Sequence, residues 1–380
     1  MTGLAYKIFV IAGEASGDQI AARFIADLKE KNPEQDYQIV GIGGDELSKV
    51  GLKQSLFPME TLSVMGIFEV LPKILELLGK IDITAKAIND FEPDLVLSVD
   101  APDFCFRVIK RYQKKFYPKA HEKAPRFEHI VAPTVWAWRP KRAEKVAKLL
   151  DHLYCLFPFE PPYFEKEGLS ASYLEHPFLP LYEQQYLTQK SKQWRKDNGY
   201  SEEDKLFGIF PGSRKGEVKR MLPVFIDAMK KLQQTHPEIK FTCLTLPKLK
   251  GELDDIFKRS NLDVKLIDDI DQKPNMMGAL NYAIATSGTI GFELSLAKVP
   301  HIVAYKMNWL SRMMAKLLVK TPYMHLTNIH LNEEVVPEFF QEDCTPKKLS
   351  MACDDLIESK DLNEKQRLSF NKLWNLLRAR

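Results

Sequence analysis

Asp100 follows directly on the apolar run Leu95–Val99 and opens the stretch Asp100-Ala101-Pro102-Asp103. A carboxylate just past a strand's end suits a general base: it takes the proton of an attacking sugar hydroxyl as the new bond forms, worth roughly 10²- to 10⁴-fold in rate. The same pattern suits Asp100 or Asp103 as a cap on the turn that Pro102 imposes, so both readings stand for Asp100. Upstream, Tyr6–Ala12 runs into Gly13-Glu14-Ala15-Ser16-Gly17-Asp18 and then a helical pattern over 19–31. The glycines permit a tight turn and a close ligand approach, placing Glu14 and Ser16 at the mouth of a crevice, with Asp18 as a candidate helix cap.

Two further stretches are suited to anions. Leu206–Phe210 ends in Pro211-Gly212-Ser213-Arg214-Lys215-Gly216-Glu217, where small residues expose backbone N–H groups and Arg214 presents a planar fork of donors to phosphate oxygens. Tyr282–Thr286 ends in Ser287-Gly288-Thr289, opening a helix that carries Glu293 four residues after Thr289 and on the same face. A diphosphate at that helix N-terminus leaves Glu293 to accept ribose hydroxyls. The dinucleotide pattern GxGxxG, an acid ending the second strand and the P-loop are all missing, which argues against nicotinamide enzymes and ATPases. Asp269-Ile270-Asp271 has the form of a metal-holding DxD, a triplet that also arises by chance in polar loops. His176-Pro177 fits a hinge as well as a ligand.

The elements that must position these residues follow from periodicity. Short apolar, β-branched runs at Tyr6–Ala12, Tyr37–Ile42, Leu95–Val99, 128–132 and 153–157 alternate with helical patterns, and a second set follows at Leu206–Phe210, 241–246, Val264–Ile267, Tyr282–Thr286 and His301–Tyr305. This is the signature of βα units: an α/β protein with two doubly wound domains. The linker is placed in 175–199, where Pro177 and Pro180 fall and no strand is evident. In such sheets ligands sit beyond the carboxyl ends of the strands.

At 380 residues, with 45% hydrophobic and 28% charged residues, the chain has room for two cores and is neither disordered nor of low complexity. The net charge of +3 gives no case for nucleic acid. Five scattered cysteines without a CxxC pair read as reduced thiols, and the histidines lack zinc spacing, so no metal site is expected. Neither a secretory signal nor an 18-residue apolar span is evident, which places the chain in the cytoplasm. Three biased stretches remain. Over 62–81, Ile67, Leu71, Leu75 and Leu78 fall on a broad apolar face, which suits either a core-packed helix or one lying on a membrane. Over 307–320, Leu310, Met313, Met314 and Leu317 oppose Arg312, Lys316 and Lys320. Over 107–148, thirteen Lys and Arg meet three Glu, a local excess suited to solvent or to an anionic membrane.

Taken in order, Gly-Glu-Ala-Ser-Gly-Asp at 13–18, Met-Gly-Ile-Phe-Glu-Val-Leu at 65–71, Asp-Ala-Pro-Asp-Phe at 100–104, Pro-Thr-Val-Trp-Ala-Trp-Arg at 133–139 and Phe-Pro-Phe-Glu at 157–160 resemble the lipid A disaccharide synthases. Pro-Gly-Ser-Arg at 211–214, Ser-Gly-Thr at 287–289 with Glu293, Leu-Val-Lys-Thr at 318–321, and Asn328 followed by Val-Pro-Glu-Phe-Phe-Gln at 336–341 extend the resemblance over most of the chain.

The resemblance implies a GT-B fold, two Rossmann-like domains facing a cleft: an acceptor and membrane-facing domain over 1–180, a UDP-sugar domain over 181–345, and a helical tail over 346–380 that crosses back to the first domain or is exchanged in a homodimer. It further implies an inverting transfer from UDP-2,3-diacylglucosamine to 2,3-diacylglucosamine 1-phosphate, lipid X, giving a β(1→6) disaccharide and UDP without metal or other cofactor, on the inner face of the bacterial inner membrane. Asp100 is then the base. Ser213, Arg214, Ser287, Gly288, Thr289, Glu293, Asn328 and Gln341 hold the nucleotide sugar, and Glu14, Ser16 and Gly17 border the acceptor. Ile67, Leu71, Leu75 and Leu78 become membrane contacts. Glu175 and Lys306 depart from the family's Gly and Arg. A UDP-sugar epimerase of the same fold and a non-catalytic peripheral membrane protein are the competing readings. The first should lack the 133–139 motif; the second leaves Asp100, Arg214 and Glu293 without a task.

Overall fold

The computed structural model describes residues 5–62, 74–116, 124–137, 140–286, 288–307 and 321–378. The chain divides between His176 and Pro177 into two compact units. In the first, β1 (Tyr6–Ala12), α1 (Ala15–Lys31), β2 (Tyr37–Ile42), α2 (Asp45–Lys49), α3 (Ile74–Phe91), β3 (Leu95–Val99), α4 (Pro102–Lys115), β4 (Arg126–Ile130), α5 (Arg142–Ala147), β5 (His152–Cys155), α6 (Pro161–Glu165) and β6 (Ala171–Tyr173) follow one another. The strands form one parallel sheet in the order β2-β1-β3-β4-β5-β6. From β1 the chain first builds outward to β2 and then returns to the other side of β1 for β3, so the direction of building reverses between β1 and β3.

The second unit contains α7 (Gln184–Asp197), β7 (Leu206–Phe210), α8 (Lys215–Thr235), β8 (Lys240–Leu244), α9 (Pro247–Arg259), β9 (Val264–Ile267), α10 (Lys273–Ala279), β10 (Tyr282–Thr286), α11 (Thr289–Leu296), β11 (His301–Tyr305), α12 (Leu326–Leu331), β12 (Glu338–Phe340), α13 (Pro346–Glu358) and α14 (Lys360–Arg378). Its parallel sheet has the order β12-β11-β10-β7-β8-β9, with the reversal between β7 and β10. Strands β3 and β7 are buried along their whole length, as expected of parallel strands covered on both faces.

The helices bury the faces their periodicity dictates. In α3, Ile81, Ala85 and Ile88 enter the core with Leu77 packed at its margin, whereas Leu78 and Ile83 are 38% and 49% exposed. The apolar face read over 62–81 therefore splits within the described helix, which also continues ten residues past 81 to Phe91. Ile67 and Leu71, the side chain of Leu75, and 308–320 lie outside what is described.

From Pro177 onward, the segment read as a linker is part of the second unit. Leu187 and Trp194 of α7 are buried, and the Arg195 guanidinium donates to the carbonyls of Ala279, Ser201 and Asp204 and to Asn281 Oδ1, at 2.5–3.0 Å. Among the described residues, the tail packs on the core of the second unit. Leu349, Cys353 and Leu356 of α13 join the second core. Trp374 of α14 donates to Leu296 O at 2.9 Å. Gln366, fully buried, accepts the N–H of His301 at 2.9 Å and donates to its carbonyl at 3.1 Å. It stands where a strand would, because β12 pairs with β11 only from Val303 onward.

Candidate functional site

In the second unit the chemistry gathers where the building direction reverses, the place such sheets use for ligands. The loops after β7 and β10 flank a pocket of about 340 Å³, lined by Gly212, Ser213, Arg214, Glu217, Thr286, Gly288, Thr289 and Glu293, with Leu244–Leu246, Ile270 and Lys273 completing the wall. Gly212 has φ +110°, and a Cβ there would fall 2.3 Å from Glu217 Oε2. Only glycine lets the loop fold over the first turn of α8, where Glu217 accepts the Ser213 N–H at 3.3 Å. Gly288 has φ +144° and precedes α11. Arg214, exposed, is the N-cap of α8. Two helix N-termini and a guanidinium thus converge on one pocket, an arrangement that favours anions. Ser287 lies outside the described residues.

Glu293 is 2% exposed at the pocket wall. Its Oε2 accepts the Tyr182 hydroxyl at 2.7 Å and pairs with Lys273 Nζ at 2.6 Å. Burial and the neighbouring carboxylate push the Tyr182 phenol well above its ordinary value, so it stays a neutral donor. With Oε2 held by two donors, Oε1 is the acceptor left for a ligand hydroxyl. Neither Tyr182 nor Lys273 was among the residues expected here.

Asn328 and Gln341 are not brought to this pocket. Asn328 is fully buried; its Oδ1 accepts the N–H groups of Val335 and Val336 at 2.9 Å, and its Nδ2 donates to Val336 O and Glu338 Oε1 at 2.7 and 2.8 Å. Those bonds use its capacity, so its task is to pin the chain entering β12. Gln341 follows β12 with φ +52° and donates its N–H to Tyr305 O. Asp269 takes the Asp271 N–H at 3.0 Å and the Gln272 amide at 2.9 Å, capping a short 3₁₀ turn. Lys306 donates its backbone N–H toward Met221 Sδ.

In the first unit the reversal lies between β1 and β3, and the loops after these two strands press together. A Cβ on Gly13 would fall 2.5 Å from Ala101 Cβ, and one on Gly17 would lie 3.3 Å from Val99 O and 3.6 Å from Asp100 Cβ. Gly17 is thereby brought beside Asp100, and the half-buried Glu14 and Ser16 belong to the same turn. Asp100 and Ala101 both have left-handed backbones, φ +54° and +42°, a costly pair for non-glycine residues and a pattern that clusters at functional sites. Burial raises the Asp100 carboxyl above its ordinary value, while the Ala101 N–H, donating to Oδ1 at 2.8 Å, pulls it back. Asp18 is indeed a cap, but of a different helix: its carboxylate accepts the N–H groups of Gly44, Glu46 and Leu47 at 2.7, 2.9 and 3.4 Å, at the start of α2. Asp103 pairs with Arg142 at 2.7 Å.

A second carboxylate of this unit had drawn no role. Glu160, 2% exposed, accepts the Trp136 indole N–H at 3.0 Å and the Phe157 N–H at 3.2 Å, and burial pushes it up to about 7. It joins the motif around 133–137 to that at 157–160. His176, 5% exposed, stacks on Phe157 with ring centroids 5.9 Å apart, and Glu175 is exposed.

A family model described as Lipid-A-disaccharide synthetase matches residues 8–380. A lipid-A-disaccharide synthase of Rhodospirillum centenum is 39% identical over 360 residues, covering 94% of this chain and 87% of the relative. Among solved structures, the chain is similar to the UDP-GlcNAc 2-epimerase of Neisseria meningitidis bound to UDP-GlcNAc, with TM-score 0.64 and 14% identity over 98% of this chain and 99% of that one. It is also similar to a glycosyltransferase of Rickettsia africae, with TM-score 0.58 and 14% identity over 99% and 96%. At such identities the two structures bear on the fold, which is GT-B, and not on the reaction.

Proposed function

Because the chain belongs to the lipid-A-disaccharide synthetase family, a family of glycosyltransferases, we propose that it joins UDP-2,3-diacylglucosamine to 2,3-diacylglucosamine 1-phosphate. The acceptor's 6-hydroxyl attacks the donor's anomeric carbon as the bond to the diphosphate breaks, with inversion to a β(1→6) link. Asp100 takes the hydroxyl proton; its raised carboxyl and fixed backbone suit a base. Arg214 and the N–H groups opening α11 offset the charge on departing UDP, and Glu293 Oε1 accepts ribose hydroxyls. Gly17, beside Asp100, and Glu14 and Ser16 of the same turn border the acceptor.

The observation that carries this division of labour is that each cluster lies where its own sheet reverses its building direction, base in the first unit and anion pocket in the second. The reading extends to an anionic inner-membrane surface as the place where diacylated substrates are met. It is supported by the exposed Leu78 and Ile83 on α3 and by the basic excess of 107–148. No described helix is long and apolar enough to cross a bilayer.

The test is incubation of the full chain with UDP-2,3-diacylglucosamine and 2,3-diacylglucosamine 1-phosphate. Disaccharide and UDP in equal amounts are expected; an epimerised UDP-sugar without disaccharide would replace this reading with that of an epimerase.

A further inference from the structure

Helices α4 and α5 of the first unit flank a groove of about 460 Å³ that begins at Pro102, two residues beyond Asp100. Its floor is apolar, formed by Phe106, Val146 and Leu149, and its walls are basic: Arg107 and Lys110 from α4, Lys145 and Lys148 from the other side. Arg142 closes one end, paired with Asp103 at 2.7 Å and standing 5.8 Å above the Phe106 ring. Lys148 is paired with Glu144. Arg107, Lys110 and Lys145 make no ion pair with any described residue, although each is exposed and within reach of the same cavity. Like charges at i and i+3, as in Arg107 and Lys110, repel on a helix. An anion seated between the helices would offset that repulsion, while the floor accepts carbon.

We propose that this groove holds the phosphate of the acceptor amphiphile, a phosphomonoester on an acylated sugar, and so aims its free hydroxyl at the Asp100 loop. Two features favour the substrate over a bilayer phospholipid. The lining of the groove begins at Pro102, two residues after the candidate base, and a dianionic monoester matches a guanidinium fork among lysines better than a phosphodiester does. The inference rests on the transferase reading above, and Arg107 and Lys145 are positioning residues in it.

The experiment uses the full chain with Arg107→Gln and Lys145→Gln, singly and together, in neutral-detergent micelles, with the acceptor offered with and without its 1-phosphate. In the double variant, KM for the phosphorylated acceptor should rise about tenfold or more, a loss of about 1.4 kcal/mol, with donor KM unchanged. The unphosphorylated acceptor should not distinguish variant from parent. Equal changes for both acceptors would overturn the proposal. So would an unchanged micellar KM accompanied by weaker sedimentation with phosphatidylglycerol vesicles, which would assign the groove to the bilayer. Co-sedimentation with neutral micelles carrying the phosphorylated acceptor, without donor, separates the two layers of inference. Retention of the parent chain and loss of the variant upholds the groove even if no transfer occurs; retention of both removes it.

Discussion

Asp100 combines a strained backbone with a raised carboxyl, and the task proposed for it is proton removal alone. Asp100→Asn should therefore abolish turnover while UDP affinity stays within about twofold, read by calorimetry beside a product assay. In the parent chain the acidic limb of kcat/KM should lie above the ordinary aspartate range, because burial raises this group and it must be ionised to act. A limb at the ordinary value would assign the base elsewhere. The Glu293 clamp makes a different demand. Tyr182→Phe removes one of the two donors on Oε2, a charge-assisted bond worth roughly 1.5–3 kcal/mol. It should weaken UDP binding about tenfold while hardly changing affinity for an analogue lacking ribose hydroxyls, and equal loss for both ligands would deny the ribose contact. Transfer should persist in EDTA, because the proposed offset to the diphosphate charge comes from Arg214 and backbone N–H groups. Loss restored by Mg²⁺ would give Asp269 and Asp271 a ligand's role.

Helix α3 states its argument at the level of the element. Ile81 is 4% exposed and Leu78 is 38% exposed, although three residues apart. Ile81→Ser should destabilise the first unit by about 2–5 kcal/mol through cavity and burial costs. Leu78→Ser should change stability by less than about 0.5 kcal/mol yet reduce sedimentation with anionic vesicles. A melting curve for each, beside the vesicle assay, checks both. The same element shows what the sequence could and could not convey. Helical periodicity announces an apolar face but not where along it the core ends and solvent begins, since that boundary depends on what packs against it. Strands were legible where they are largely buried: Tyr6–Ala12, Leu95–Val99 and Leu206–Phe210 read as short, mostly apolar runs. The three-residue strands Ala171–Tyr173 and Glu338–Phe340, half-buried at sheet edges, offered no such run. The strand read at 128–132 ends at Ile130, because Val131 turns away with φ +78°. Helix α7 is hard to read from sequence because half of its residues are Gln or Lys and only a few side chains enter the core. The loops of the site were legible for the reason the strands were, since each follows a strand end. Tyr182 was not, because its partner Glu293 lies 111 residues away and nothing local marks the pair.

For the molecule as a whole, buried histidines tie stability to pH. His301 and His325 are fully buried with their Nε2 atoms 3.4 Å apart, and His301 Nδ1 is bonded to Val299 O at 2.7 Å. Burial lowers His301 to about 4 and His325 well below its ordinary value, the latter also through His301. A histidine so depressed binds its proton more readily unfolded than folded. Its contribution is therefore intact above about pH 6.5 and is lost as pH falls toward the folded value, at about 1.4 kcal/mol per unit of depression. The melting temperature of the second unit should drop between pH 6.5 and 5, before exposed carboxylates begin to protonate; a flat profile over that interval would mean that the pair is charged in the native state.

Gln366 carries one more implication. Its amide occupies both hydrogen-bonding groups of His301 on the side of β11 that no strand covers there, so the last helix acts as a plug on an open sheet edge. Unpaired edges are templates for another chain. A protein shortened at Ser359 would bare that edge together with the apolar surface under Trp374, and its failure should appear as self-association: rising light scatter with strand content retained. Gln366→Leu should show the same tendency more weakly, which makes an intact carboxyl terminus a condition for keeping the protein monodisperse in any preparation.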